Sequence, residues 1–167
     1  MPDEFEDRPG DLDQPPPFFP YDEEEGEVDD ADRLFEVEVH EVVAGEVNGQ
    51  VSRFVLLSDG HNQVPIMIGP FESVSIAMAK EGRAPDRPLT HDLFRNVLAR
   101  LGFVVDRVVI DDLVNSTFYA KLFLRRADDE TDIEIDSRPS DAIALALRFE
   151  APIFLTRRVI ENSGVQE

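Results

Sequence analysis

The stretch from Ile133 to Phe149, Ile-Glu-Ile-Asp-Ser-Arg-Pro-Ser-Asp-Ala-Ile-Ala-Leu-Ala-Leu-Arg-Phe, constrains the fold more than any other. Ile133 and Ile135 alternate with Glu134 and Asp136, the period-two pattern of a half-buried strand that ends at Ser137. Arg138 precedes a proline and is pushed towards an extended backbone, while Pro139 suits the first turn of a helix, where its missing N–H is not needed. The helix body, Ala142 to Leu147, is apolar all round, and such a helix must be buried on most sides. This predicts the central helix of the domain. At its entrance Arg138, Ser140 and Asp141 gather polar groups where backbone donors are left unpaired.

The remaining chain supplies the layers around that helix. Phe35, Val37 and Val39 alternate with Glu36, Glu38 and His40, and a turn over residues 45–49 leads to a second strand, Val51–Leu57. Asp59-Gly60 marks a tight turn into a third strand, Val64–Ile68, which completes an antiparallel meander. Gly69-Pro70 breaks the pattern. Phe71–Glu81 then reads as a packed helix with Glu72 in its first turn, closed by Gly82. Thr90 is suited to cap a second helix, on which Leu93, Phe94, Val97, Leu98 and Leu101 form one apolar face. Val104–Ile110, Thr117–Leu124 and Thr131–Asp136 are three further strands, and Pro152–Leu155 is a short one after the central helix. Runs of strands separated by helices predict one α+β domain over residues 33–160, a mixed sheet packed by helices, with a carboxy-terminal tail at 161–167.

Charge separates the amino terminus from this domain. The chain carries -20 in formal charge, and residues 1–32 hold 14 acidic side chains against Arg8 alone. With Pro15-Pro16-Pro17-Phe18-Phe19-Pro20-Tyr21 followed by an acidic run, this segment reads as a disordered acidic tail. Its aromatics could dock on a protein partner or stay solvated. Only two lysines stand against 14 arginines. That balance is similar to proteins of salt-loving organisms, where the Debye length is about 3 Å at 1 M salt, and is equally explained by arginine-rich codon usage. The absence of cysteine excludes disulfides and thiolate metal sites. No apolar run reaches the roughly 20 residues of a membrane helix, so the expectation is a soluble cytoplasmic protein without membrane contact.

Two loops share a design that addresses phosphate. Arg87-Pro88-Leu89-Thr90-His91-Asp92 and Arg138-Pro139-Ser140-Asp141 each place an arginine before a proline, then a hydroxyl, then an aspartate in a first helical turn. One reading is helix capping, since hydroxyls cap well and an aspartate there gains about 0.3–1 kcal/mol from the dipole. The other is a shared pocket. Arg87 and Arg138 would then fork a phosphate, while His91, Asp92 and Asp141 would do the chemistry. Asp136, Asp141 and Glu72 would hold a divalent ion, and oxygen donors favour magnesium or manganese. His91 at a helix start tends to stay neutral and can accept a proton, or it can serve a purely structural hydrogen bond.

A family resemblance rests on these residues. Val64-Pro65-Ile66-Met67-Ile68-Gly69, Arg87 to Leu93, Thr117-Phe118-Tyr119-Ala120 and Ile135 to Ala146 occur in order, and together the domain resembles the bifunctional nuclease domain family. The resemblance covers about Leu34 to Ile160 and implies an α+β domain that cleaves both DNA and RNA. The expectation is therefore a nuclease with little sequence preference, assisted by a divalent metal, because the candidate groups address phosphate rather than base edges. The alternative is a non-catalytic domain that binds an anion or a regulatory partner through its helix starts. Self-association suits a small domain with many strands.

Overall fold

The computed structural model describes residues 29–126, 128, 132–163 and 165–166. A single 3-10 turn, Asp30–Asp32, leads into β1 (Leu34–Val47), β2 (Gln50–Ser58) and β3 (Asn62–Ile68). Two helices follow, α1 (Pro70–Lys80) and α2 (Thr90–Arg100), then β4 (Phe103–Val114), β5 (Thr117–Arg126) and β6 (Asp132–Ser137). The chain continues through α3 (Pro139–Phe149), β7 (Ile153–Thr156), α4 (Arg157–Ser163) and a two-residue β8 (Val165–Gln166). The strands form one mixed sheet in the order β6-β5-β4-β7-β1-β2-β3-β8.

Local chemistry sets the turns. Asn48 and Gly49 both have positive φ, which lets β1 and β2 close into a two-residue hairpin. Asp59 closes the next turn by accepting from the backbone N–H of His61 and Asn62. β7 then joins the two halves of the sheet. It lies between β4 and β1, parallel to the first and antiparallel to the second. The helix that carries the chain there is α3, packed on α1, α2, β4 and β5. Ile143, Ala142, Ala144 and Ala146 have no exposed surface, as an all-round apolar sequence requires. The α+β single domain and the central helix are as the sequence implies.

Five details differ from the sequence reading. β6 is an edge strand with Ile133 and Ile135 left exposed, because alternation reveals a period without revealing whether anything covers the face. On α2 only Leu98 of the five apolar residues is buried. Thr90 does not cap α2; it is the first helical residue, and Asp92 closes the end instead by accepting from the Leu89 N–H at 2.9 Å. The carboxy-terminal segment is not a tail but α4 and β8, the latter paired with β3. At the other end, Asp30 and Asp32 are held by Arg157 and Arg158, so order begins before residue 33. The expected disorder of residues 1–28 and the docking of Phe18, Phe19 and Tyr21 fall outside the described residues.

Candidate functional site

The first turns of α1, α2 and α3 meet, and the polar groups they bring form a continuous seam. Helical spacing explains why. Glu72 and Ser75 lie three residues apart on α1, while Asp141 and Arg148 lie two turns apart on one face of α3. His91 and Asp92, adjacent on α2, meet these two ends separately. His91 Nε2 lies 2.9 Å from Asp141 Oδ1 and His91 Nδ1 lies 2.8 Å from Ser75 Oγ, both at hydrogen-bond distance. Each ring nitrogen thus has a partner. Asp92 instead accepts from Arg148 Nε at 2.7 Å. Arg148 also donates to Ser75 Oγ at 3.0 Å and to the carbonyl of Ala144 at 2.8 Å.

Arg138 closes the outer end of the seam. Its Nε donates to Asp141 Oδ2 at 2.7 Å, and its Nη2 reaches Asp141 Oδ1 at 3.0 Å and Glu72 Oε1 at 3.1 Å. The Arg138 side chain is 66% exposed despite these partners. Gly69 makes room for the arrangement: a Cβ there would collide with the folded-back Glu72 carboxylate. Burial opposes the charge on Asp141, but hydrogen bonds from Arg138 and His91, with their attraction, outweigh it and hold the carboxyl below its ordinary value. Asp92 is lowered in the same way, burial being overcome by Arg148 and the Leu89 N–H.

Two clefts flank this cluster. One, of about 330 Å³, is bordered by Phe71, Glu72, Val74, His91, Arg138 and Asp141. The second, of about 570 Å³, lies on the α2–β6 side and adds Phe94, Leu122 and Ile135. Both share His91, Arg138 and Asp141. A third cleft, of about 530 Å³, lies around Asp92, Arg95 and Arg148.

Of the residues singled out in the sequence, His91, Asp141, Arg138 and Glu72 are brought together. Arg87 is not: it is exposed and borders none of these clefts. Asp92 is one residue from His91 but faces Arg148 across the interior. Asp136 borders the second cleft, yet its register opposite Lys121 puts it on the other face of β6 from Ile135. Ser140 is buried. Among the described residues no three histidine or carboxylate side chains are grouped so as to hold a metal. Ser75, Arg148 and Phe71 were not anticipated. Arg148 had one signal, its two-turn spacing from Asp141, whereas Phe71 read only as the start of a packed helix and is 86% exposed at the rim of the first cleft.

The sequence profile described as the bifunctional nuclease domain matches residues 55–167. An uncharacterized protein of Mycobacterium tuberculosis is 41% identical over 108 residues, covering 65% of this chain and 63% of its own length. Bifunctional nuclease 1 of Oryza sativa subsp. japonica is 30% identical over 112 residues, 66% of this chain and 34% of the plant protein. Bifunctional nuclease 2 of Arabidopsis thaliana is 27% identical over 104 residues, 62% of this chain and 32% of its own. The match thus spans less than two thirds of the mycobacterial relative and about a third of the plant proteins.

Proposed function

The chain belongs to the bifunctional nuclease domain family, and on that premise we propose that it hydrolyses phosphodiester bonds of DNA and RNA at the cluster of Arg138, His91 and Asp141. The observation that carries this reading is the position of Arg138. It is an exposed side chain at the mouth of two clefts, held among the described residues only by carboxylates that an incoming phosphate can replace. When Arg138 turns to phosphate, Asp141 loses the cation that keeps its proton affinity low, while its burial, which favours the neutral form, remains. Asp141 thereby becomes a better acceptor for the proton of an attacking water. Asp141 takes a proton as water adds to phosphorus, the bond to the leaving oxygen breaks, and Asp141 returns the proton to that oxygen, leaving a phosphate monoester and a free hydroxyl. His91 positions Asp141 rather than attacking or abstracting, since both ring nitrogens are engaged.

Phe71 supplies a flat apolar surface at the same rim, and base stacking on an aromatic ring contributes about 1–3 kcal/mol without reading sequence. Magnesium or manganese would enter with the phosphate and be held by Glu72, leaving Asp141 free to take the proton; it would neutralise charge on the phosphate. The exposed Arg87 and Asp136 would contact only the flanking backbone or its ions.

One observation favours a second reading. The seam is closed, with Asp141, His91 and Ser75 all satisfied within the protein, as suits a domain that binds an anion without cutting it. The two readings separate in one experiment. Purified chain is given fluorescent single- and double-stranded DNA and RNA at high salt, with magnesium, with manganese and with a chelator. Cleavage that falls 10²- to 10⁴-fold in Asp141→Asn, with the circular dichroism of the folded chain retained, supports hydrolysis. Binding without cleavage, unaffected by the chelator, supports the anion-binding domain.

A further inference from the structure

Ser75 and Arg148 take no part in the chemistry proposed above, yet both are buried against it, with Ser75 3% exposed and the Arg148 side chain 8%. Burial this deep makes the direction of each hydrogen bond a property of the protein, since an unmatched polar group there is destabilising. The direction is set from one end, because a guanidinium has donors and no acceptor. Arg148 commits Nε to Asp92 and Nη1 to the Ala144 carbonyl, and its Nη2 donates to Ser75 Oγ at 3.0 Å. Ser75 Oγ has a second partner, His91 Nδ1 at 2.8 Å, and no third among the described residues. With a lone pair held by Arg148, the hydroxyl satisfies its own hydrogen by donating it to Nδ1, which is then the bare nitrogen of the ring. The hydrogen of the neutral ring sits on Nε2 and is donated to Asp141 Oδ1 at 2.9 Å.

We propose that Arg148 and Ser75 are positioning residues, which through His91 hold Asp141 so that Oδ2, and not Oδ1, takes the proton of the attacking water. Oδ1 accepts from His91 Nε2–H and from Arg138 Nη2 at 3.0 Å, whereas Oδ2 accepts from Arg138 Nε alone, at 2.7 Å. When Arg138 turns to phosphate, Oδ1 keeps its histidine and Oδ2 is left without a partner among the described residues. The contacts run from α3 to α1, on to α2 and back to α3, so both ends of the relay stand on one helix, two turns apart. That rigid backbone fixes the separation the relay must span. Without the Ser75 hydroxyl the ring could carry its hydrogen on either nitrogen, and the two oxygens of Asp141 would no longer be told apart. The role given to Oδ2 rests on the hydrolytic reading; the placement of the hydrogens does not.

Long-range 1H–15N correlation of the intact, 15N-labelled chain reads the ring directly, His91 being assigned by its loss in His91→Gln. In mildly alkaline buffer the parent should show a bare Nδ1 and a protonated Nε2. The Asp141 carboxylate favours the same form, so the variant that isolates the relay is Asp141→Asn. There the hydrogen should stay on Nε2, and adding Ser75→Ala should give a mixture of both forms. On single-stranded DNA, Ser75→Ala should lower kcat about 10-fold or more with little change in KM, since Arg138 is untouched, and with circular dichroism retained. A hydrogen on Nδ1 in the parent or in Asp141→Asn overturns the proposal. So does a double variant that still holds it wholly on Nε2, or a Ser75→Ala chain that cleaves with the parent's kcat. A parent that does not cleave overturns the hydrolytic reading together with the role of Oδ2, and the ring resonances alone then decide the hydrogen placement.

Discussion

Arg148 has 8% of its side chain exposed, yet its guanidinium ties α3 to Asp92 of α2 and Ser75 of α1. Replacing it by methionine would fill much of the space but leave the Asp92 carboxylate unpaired, a change that costs about 3–5 kcal/mol when one partner of a buried pair is removed. Urea unfolding of Arg148→Met should show that loss, and Arg148→Met with Asp92→Leu should recover most of it. The pH dependence belongs to the same residues. Asp92 and Asp141 have folded pKa values below the unfolded value of about 3.9. Their stabilisation is complete above that value and lost as pH falls through the depressed folded values. Acid unfolding followed by circular dichroism should therefore be less steep in Asp92→Asn and Asp141→Asn. At this scale the sequence exposed His91, Asp141 and Arg138, because proline and the helix start fix where they stand. It did not separate Asp92 from His91, since adjacent helical residues point about 100° apart and only the neighbouring helix decides what each one meets.

Among the elements, α3 was the most legible, because a helix whose body, Ala142 to Leu147, is apolar all round has one place to go. Its burial predicts its energetics. Ile143 is fully enclosed, and Ile143→Ala should lower stability by about 2–5 kcal/mol in denaturant melts, whereas Ser163→Ala at the end of α4 should cost far less. α2 and β6 were legible in type but not in environment. Their periods are those of a half-covered helix and strand, and periodicity carries no information on whether the cover comes from the same chain. Only the fold reveals that Leu93, Val97 and Leu101 have none among the described residues. β7 and α4 were harder still. Four residues, Ile153–Thr156, insert between β1 and β4 through contacts far apart in sequence.

At the scale of the whole molecule, most of the negative charge sits in residues 1–32, away in sequence from Arg138 and His91. In the proposed function nucleic acid would be met on an acidic protein by one exposed guanidinium set between two carboxylates, so binding would rest on Arg138 rather than on a broad basic surface. Arg138→Lys should keep the charge but lose the two-point fork, and we expect weaker binding of a non-cleavable oligonucleotide, read by fluorescence anisotropy, with little change in fold. The most direct test of the central claim uses the three histidines of the chain, His40, His61 and His91, as reporters. Titrating a phosphorothioate single strand into 15N-labelled protein should shift the ring resonances of His91 and the Nε–H of Arg138, leaving those of His40 and His61 in place. Saturable binding that leaves His91 and Arg138 unmoved would contradict the account.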